Sequence, residues 1–213
     1  MKNLKLIVYL VVLAATFSAK AGSYEDFFAA IQRDNPFTMK ELLERGFDPN
    51  TPDAHGQTGF VLALRAGSTR VAQLLADHPA FDANALNAAG ESPLMLAAIK
   101  GDLALCRQLI ARGAQLDKPG WAPLHYAASG PSSEIVQLLL DRGAAVDATS
   151  PNATTPLMMA ARYGNEASVL ALLARGADAG RRNQLDLTAV DFATEAGRPL
   201  LADQLRSALR PAR

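Results

Sequence analysis

Three histidines, one cysteine and 21 carboxylates are the side chains of this 213-residue chain that could do acid–base, nucleophilic or metal chemistry. His55, His78 and His125 stand in three separate segments, and no pair of histidines or cysteines has the spacing of metal ligands. There is no glycine-lysine phosphate loop, no His-Glu-x-x-His helix and no Gly-x-Ser-x-Gly elbow. Cys106 lies in Leu103-Ala104-Leu105-Cys106, at a place that is apolar elsewhere in the chain. It reads as a small buried hydrophobe rather than a reactive thiol. Asn152-Ala153-Thr154 matches a glycosylation sequon, a match that chance explains. The expectation is therefore no catalytic residue, no cofactor and no metal.

The elements that carry these residues begin after a leader-like stretch. Lys2 and Lys5 precede an apolar run from Leu6 to Ala15, and Ala19-Lys20-Ala21 has the small-x-small pattern of a signal-peptidase site. The run ends near Phe17, short of the roughly 20 residues a spanning helix needs. Residues 1–21 are thus expected to be a cleaved signal peptide, and the protein to be periplasmic or secreted, with no membrane contact after cleavage. No cysteine near the site offers a lipid attachment point. Loss of Lys2, Lys5 and Lys20 takes the 21 basic residues to 18 against 21 acidic ones. A mildly acidic chain without a basic stripe does not suit nucleic acid. One cysteine allows no internal disulfide, so packing alone must hold the fold.

Laying the chain over itself reveals a period. Thr58-Gly59-Phe60-Val61-Leu62-Ala63, Ser92-Pro93-Leu94-Met95-Leu96-Ala97, Ala122-Pro123-Leu124-His125-Tyr126-Ala127, Thr155-Pro156-Leu157-Met158-Met159-Ala160 and Thr188-Ala189-Val190-Asp191-Phe192-Ala193 fall in register. Their offsets are 34, 30, 33 and 33 residues. Threonine or serine before proline is a helix N-cap followed by a proline whose missing N–H costs nothing there. Each segment leads to a second apolar block at helical spacing, such as Leu105 with Leu109-Ile110. Gly113, Gly143 and Gly176 then mark left-handed helix ends. Asn50, Asp117 and Asp147 recur in the linking loops, where they read as local turn formers. Residues 24–50 form a helix pair without the Thr-Pro entry, turned at Asp34-Asn35-Pro36. At the other end Arg198, Asp203, Gln204 and Arg206 give the last helix a polar face, as a cap requires.

This pattern resembles the ankyrin repeat, with its Thr-Pro-Leu-His-x-Ala signature and period near 33 residues. The resemblance implies an all-α ankyrin-repeat solenoid of about six helix-turn-helix repeats with hairpin-like loops between them. Residues 22–213 are expected to be one domain: a cap at 24–50, internal repeats at 51–84, 85–117, 118–148 and 149–181, and a cap at 182–213. It implies a structural His125, hydrogen-bonded between adjacent loops. It also implies a non-enzymatic scaffold that binds a protein partner on a concave surface of loop tips and first helices, and a monomer. Carried onto this register, the loop-tip positions include His55, Glu91 and Trp121. The positions closing the first helices include Arg65, Ile99, Lys100, Arg162 and Tyr163.

The 30-residue offset leaves the loop between Leu116 and Pro119 three residues short, with Pro119-Gly120 as a tight turn. A notch is expected there beside Trp121, flanked by Arg65, Lys100 and Arg162, suited to an acidic or mixed segment. Trp121 has two readings, an outward anchor or a lid over its own loop. Exported relatives of this kind include accessory proteins of a periplasmic catalase and immunity proteins against secreted toxins, and the resemblance selects neither. An enzymatic or ligand-binding groove is the weaker alternative. Its polar candidates, Asp53, His55, Glu91, Lys100, Arg162 and Glu195, are spread over successive repeats. A purely structural envelope protein is a third.

Overall fold

The computed structural model describes residues 22–209; the leader-like residues 1–21 lie outside them. The described residues form two compact units, one up to Asp82 and one from Ala83.

In the first unit, α1 (22–32) is followed by α2 (Pro36–Glu44), α3 (Gly59–Ala66) and α4 (Thr69–Asp77). The expected turn at Asp34-Asn35-Pro36 is present. Asn35 accepts hydrogen bonds from the N–H groups of Phe37 and Thr38, and Pro36 opens α2. Asp34 does more than turn the chain. Its carboxylate accepts from the Val71 N–H at 2.9 Å and from Arg70 at 3.0 Å, which ties α1 to the start of α4. The missing proline in Thr58-Gly59 has a steric reason. A Cβ on Gly59 would lie 2.5 Å from the Phe27 ring. Phe27 and Ile31 of α1 are buried and occupy the space a larger residue would need.

The second unit contains α5 (Pro93–Lys100), α6 (Leu103–Ala111), α7 (Pro123–Ser129), α8 (Ser133–Asp141), α9 (Pro156–Tyr163), α10 (Glu166–Ala174), α11 (Ala189–Glu195) and α12 (Pro199–Ala208). The first helices stack in the order α5, α7, α9, α11, and the second helices α6, α8 and α10 stack behind them. Leu94, Leu124 and Leu157 of the first layer are fully buried, as are Leu109, Leu139 and Leu172 of the second. Each such leucine contributes about 1.5–3 kcal/mol on burial. Between layers sit Ala97, Ala127 and Ala160, all buried, whose small side chains permit close helix contact. Cys106 is fully buried, and desolvation first, then the nearby Asp102, pushes its thiol up to about 12. It packs as the equivalent Val136 and Val169 do.

Thr58, Ser92, Thr155 and Thr188 cap their helices by accepting from the N–H three residues on. The fourth signature residue returns the bond. Nδ1 of His125 accepts from the Ala122 N–H at 3.1 Å, and Oδ2 of Asp191 from the Thr188 N–H at 2.7 Å. The sulfur atoms of Met95 and Met158 stand in the same place, 3.3 and 3.4 Å from the N–H nitrogens of Ser92 and Thr155. A position that histidine holds in the consensus is thus structural in four repeats of different chemistry.

Gly113, Gly143 and Gly176 adopt the left-handed conformation. Gly130 and Gly164 serve differently. Their backbone is extended, and they are small because a Cβ would meet carbonyl oxygens of the preceding repeat, 2.9 Å from Ala98 O and 2.1 Å from Ala128 O.

Two loop expectations need correction. Asn50, Asp117 and Asp147 are not local turn formers. Their side chains accept the N–H groups of Asp82, Ala145 and Asp178, one repeat further on, and Asn84 does the same with Gln115. Arg198 is not part of a solvent-facing polar surface either. Its Nη1 lies within 3.1 Å of the carbonyls of Ala160, Ala161 and Gly164, where it caps the end of α9. Charged donors on orphan carbonyls at a helix C-terminus are stabilising.

No helix among the described residues is long and apolar enough to cross a membrane.

Candidate functional site

The loops before the first helices share one construction. Asp53, Asn87 and Asn183 each accept, through one side-chain oxygen, the N–H groups two and four residues on. Ser150 accepts the Thr154 N–H in the same way. A backbone bond closes each tip: Asp53 to Gln57, Asn87 to Glu91, Ser150 to Thr154 and Asn183 to Leu187, at 2.8–3.0 Å. Within the second unit, Asp117 is both the linking residue and, counted back from α7, the tip residue. Three residues fewer leave it only the first task. No closing bond of this kind joins Asp117 to Trp121 among the described residues. Gly120 turns the chain at φ +80, and Nζ of Lys118 donates to the carbonyls of Pro119 and Trp121 instead.

Trp121 follows this open loop. It is half-buried and meets His125 edge-on, with ring centroids 5.2 Å apart. It also forms one wall of a pocket of about 270 Å³. His125, Tyr126 and Ser129 of α7 continue the wall, Ile99 of α5 stands on one side, and Met159 and Tyr163 of α9 on the other. The two readings of Trp121 merge: it covers His125 and still presents a face to the pocket.

The polar side-chain atoms of His125, Tyr126 and Ser129 around this pocket are committed to the fold. Because Nδ1 of His125 accepts from a backbone N–H, Nε2 carries the ring proton and donates to Thr154 O at 3.0 Å. Burial holds the imidazole below its ordinary value, against the pull of these bonds. Tyr126 donates its hydroxyl to Glu91 at 3.0 Å. Burial first, and then that carboxylate, raise the phenol well above its usual range. Ser129 donates to the His125 carbonyl at 2.9 Å. No convergent set of donors, bases or nucleophiles faces the cavity, as a catalytic site would need. Among the described residues there is also no cluster of three histidine, cysteine or acidic side chains that could hold a metal ion.

Of the residues expected to bind a partner, Ile99, Trp121 and Tyr163 come together here, and Lys100 follows Ile99 as an exposed side chain at the end of α5. Tyr163 is 60% exposed. Arg162 is not an available cation beside the notch. It is paired with Glu195 at 2.6 Å and lies 5.5 Å from the Tyr163 ring and 5.8 Å from Phe192. Glu91 likewise serves the fold, accepting from Tyr126 and from Asn87 at 2.8 Å. His55 and Arg65 are exposed residues of the first unit, on the tip before α3 and in its last turn. Tyr126 and Met159 were missed by sequence reasoning. Both occupy the x of Thr-Pro-Leu-His-x-Ala, and a large side chain at that variable position was the available signal. In the sequon Asn152 is exposed in the loop before α9, while Thr154 is buried and its backbone bonds Ser150 and His125.

The family described as ankyrin repeats (3 copies) matches residues 27–119 and 94–183. Among curated proteins, human neurogenic locus notch homolog protein 4 is 45% identical over 42% of this chain and 5% of its own length. The B-cell lymphoma 3 protein homolog of Mus musculus is 33% identical over 70% of this chain and 35% of its own. The chain thus spans about a third or less of the curated relatives it matches. The crystal structure of an ankyrin repeat domain from Acinetobacter baumannii superposes with a TM-score of 0.72, at 26% identity, over 85% of this chain and 96% of that one. With the repeat register, the reciprocal caps and the two helical layers already in place, these matches mean that the chain belongs to the ankyrin repeat family, whose repeats mediate protein–protein contact.

Proposed function

We propose that this protein is a non-enzymatic, exported binding module that holds one protein partner over the pocket between α5, α7 and α9. One observation carries this reading. The pocket is walled mainly by apolar and aromatic side chains, and the donors of His125, Tyr126 and Ser129 beside it are already spent within the fold. Such a surface can bury a partner's apolar group but has nothing with which to transform a substrate. Trp121 and Tyr163 are of the residue types that dominate interface energetics.

Export to the periplasm or the exterior is supported by the charged, apolar and small-x-small pattern of residues 1–21. A monomer that modulates the stability or activity of one enzyme or toxin, as an accessory or immunity protein, fits a module with a partner surface and no chemistry of its own.

The test is affinity capture from the native envelope, followed by a binding titration with the purified partner. Tyr163→Ala removes an exposed ring and leaves the core intact. It should weaken binding roughly tenfold or more, as truncation of an aromatic anchor does. Undiminished affinity in Tyr163→Ala and in Trp121→Ala would refute the proposed surface. For export, residues 1–21 fused to a periplasmic reporter should give activity and a mature product beginning at Gly22; cytoplasmic retention overturns that part.

A further inference from the structure

Two walls of the pocket carry hydrogen-bond donors that the fold leaves open. The indole N–H of Trp121 and the hydroxyl proton of Tyr163 make no hydrogen bond among the described residues. An indole can only donate. The Tyr163 oxygen interacts with the Arg162 guanidinium, which leaves its proton to donate. Trp121 is half-buried and Tyr163 exposed, so solvent serves both groups in the free protein. A wholly apolar occupant would displace that solvent and strand two donors, each at the cost of an unmade hydrogen bond. The occupant must therefore bring acceptors together with its apolar surface.

The other walls set what accompanies those acceptors. Ile99, Met159 and the rings of Trp121, Tyr126 and Tyr163 offer apolar and aromatic faces. Thr154 O, the Glu91 carboxylate and His125 O already receive the donors of His125, Tyr126 and Ser129. A partner N–H entering here competes with an existing bond, whereas a partner carbonyl meets an open donor. Proline combines an apolar ring and a carbonyl with no N–H. Proline-rich segments hold an extended helix without internal hydrogen bonds, so their carbonyls stay free to accept, and aromatic-lined grooves suit them. The volume of about 270 Å³ falls below the roughly 300–1,000 Å³ of sites that enclose drug-sized molecules. It suits a ring from a chain lying across the surface better than an enclosed free ligand.

Resting on the binding function just proposed, we infer that the pocket receives a proline of an extended, proline-rich partner segment, whose backbone carbonyls accept from the Trp121 indole and the Tyr163 hydroxyl. The aromatic faces select the ring, and the two open donors select the carbonyls.

The chain contains one tryptophan, so both Trp121 fluorescence and a single indole N–H resonance report occupancy. The probes are a capped peptide of six prolines and the same peptide with its two central prolines replaced by valine. The proline peptide should shift Trp121 emission saturably and move the indole N–H resonance downfield, as a new hydrogen bond does. The valine peptide keeps apolar side chains but adds two N–H groups, and should bind about tenfold more weakly. Tyr163→Phe keeps the ring and should weaken the proline peptide roughly fivefold, the loss of one hydrogen bond. Trp121→Phe, followed by calorimetry, should do the same. The inference is overturned if the valine peptide binds as well, or if either phenylalanine variant binds undiminished. It is equally overturned if the indole N–H resonance does not move, or if the proline peptide shows no saturation up to about 1 mM. Should the purified partner still depend on Tyr163 while the proline peptide does not bind, the binding function stands and only this assignment of its partner chemistry fails. A partner indifferent to both Tyr163→Ala and Trp121→Ala removes the binding surface itself.

Discussion

Ser168 occupies, by repeat register, the place held by Val71, Leu105, Ile135 and Leu201. It is fully buried in α10, and its Oγ has no hydrogen-bond partner. The Gly164 carbonyl, four residues back, already receives Arg198. Ser168→Ala removes this orphan hydroxyl without adding volume. A buried unsatisfied polar group costs about 1–3 kcal/mol, and alanine is the better helix former by up to roughly 0.7 kcal/mol. The variant should therefore be more stable by about 1.5–3 kcal/mol, which in a chain of this size raises the melting temperature by roughly 4–10 °C. Urea titration followed by far-UV circular dichroism gives the midpoint and slope. The expected result is a higher midpoint at unchanged slope. Ser168→Thr, which keeps a hydroxyl, should not reproduce the gain. If the alanine variant is no more stable than the parent, or less stable, the hydroxyl is satisfied in solution and the accounting is wrong.

Gly164→Ala should be severe for the opposite reason. Its Cβ would lie 2.1 Å from the backbone oxygen of Ala128, so α7 and α9 must separate, at a cost of about 1–3 kcal/mol or more; thermal melting measures it, and a neutral outcome contradicts the close approach. Arg198→Ala should remove the cap from three carbonyls of α9, and hydrogen exchange should then rise in α11 and α12 before it rises in α7; uniform exchange would count against a local cap. His125 is held neutral by burial, so its folded value is depressed while the unfolded chain titrates near 6.5. The unfolded state then binds the extra proton, and stability falls as pH drops below about 6.5, by at most roughly 1.4 kcal/mol per pH unit. Melting curves from pH 7.5 to 5 test this, and a flat profile refutes it. Asp34 and Asp191, whose values are also lowered, lose their contribution only at lower pH, as it falls through and below the usual carboxylate range near 3.8.

The repeat, the helix pairs and most of the core were legible in the sequence because they follow from local rules applied several times over. A capping threonine, a first-turn proline and leucine at helical spacing each act within a few residues, and a period of about 33 residues repeats the same local test. Structural roles for Cys106 and His125 were readable too, from their register with apolar and signature positions. The shortened loop was visible as the 30-residue offset.

Tertiary structure decided what depends on a neighbour one repeat away. Sequence spacing placed Arg162 and Glu91 on the binding surface, yet a charge is available to a partner only if no adjacent group neutralises it, and Glu195 and Tyr126 lie 33 and 35 residues distant in the chain. Arg198 looked like a solvated cap residue until the free carbonyls at the end of α9 came within its reach. Gly59 and Gly164 gave no sign that Phe27 and Ala128 left them no room for a Cβ. Local chemistry, read from the chain, determined that helices form and where they begin. Contact across repeats, which only packing brings about, determined which of their polar side chains remain for another molecule.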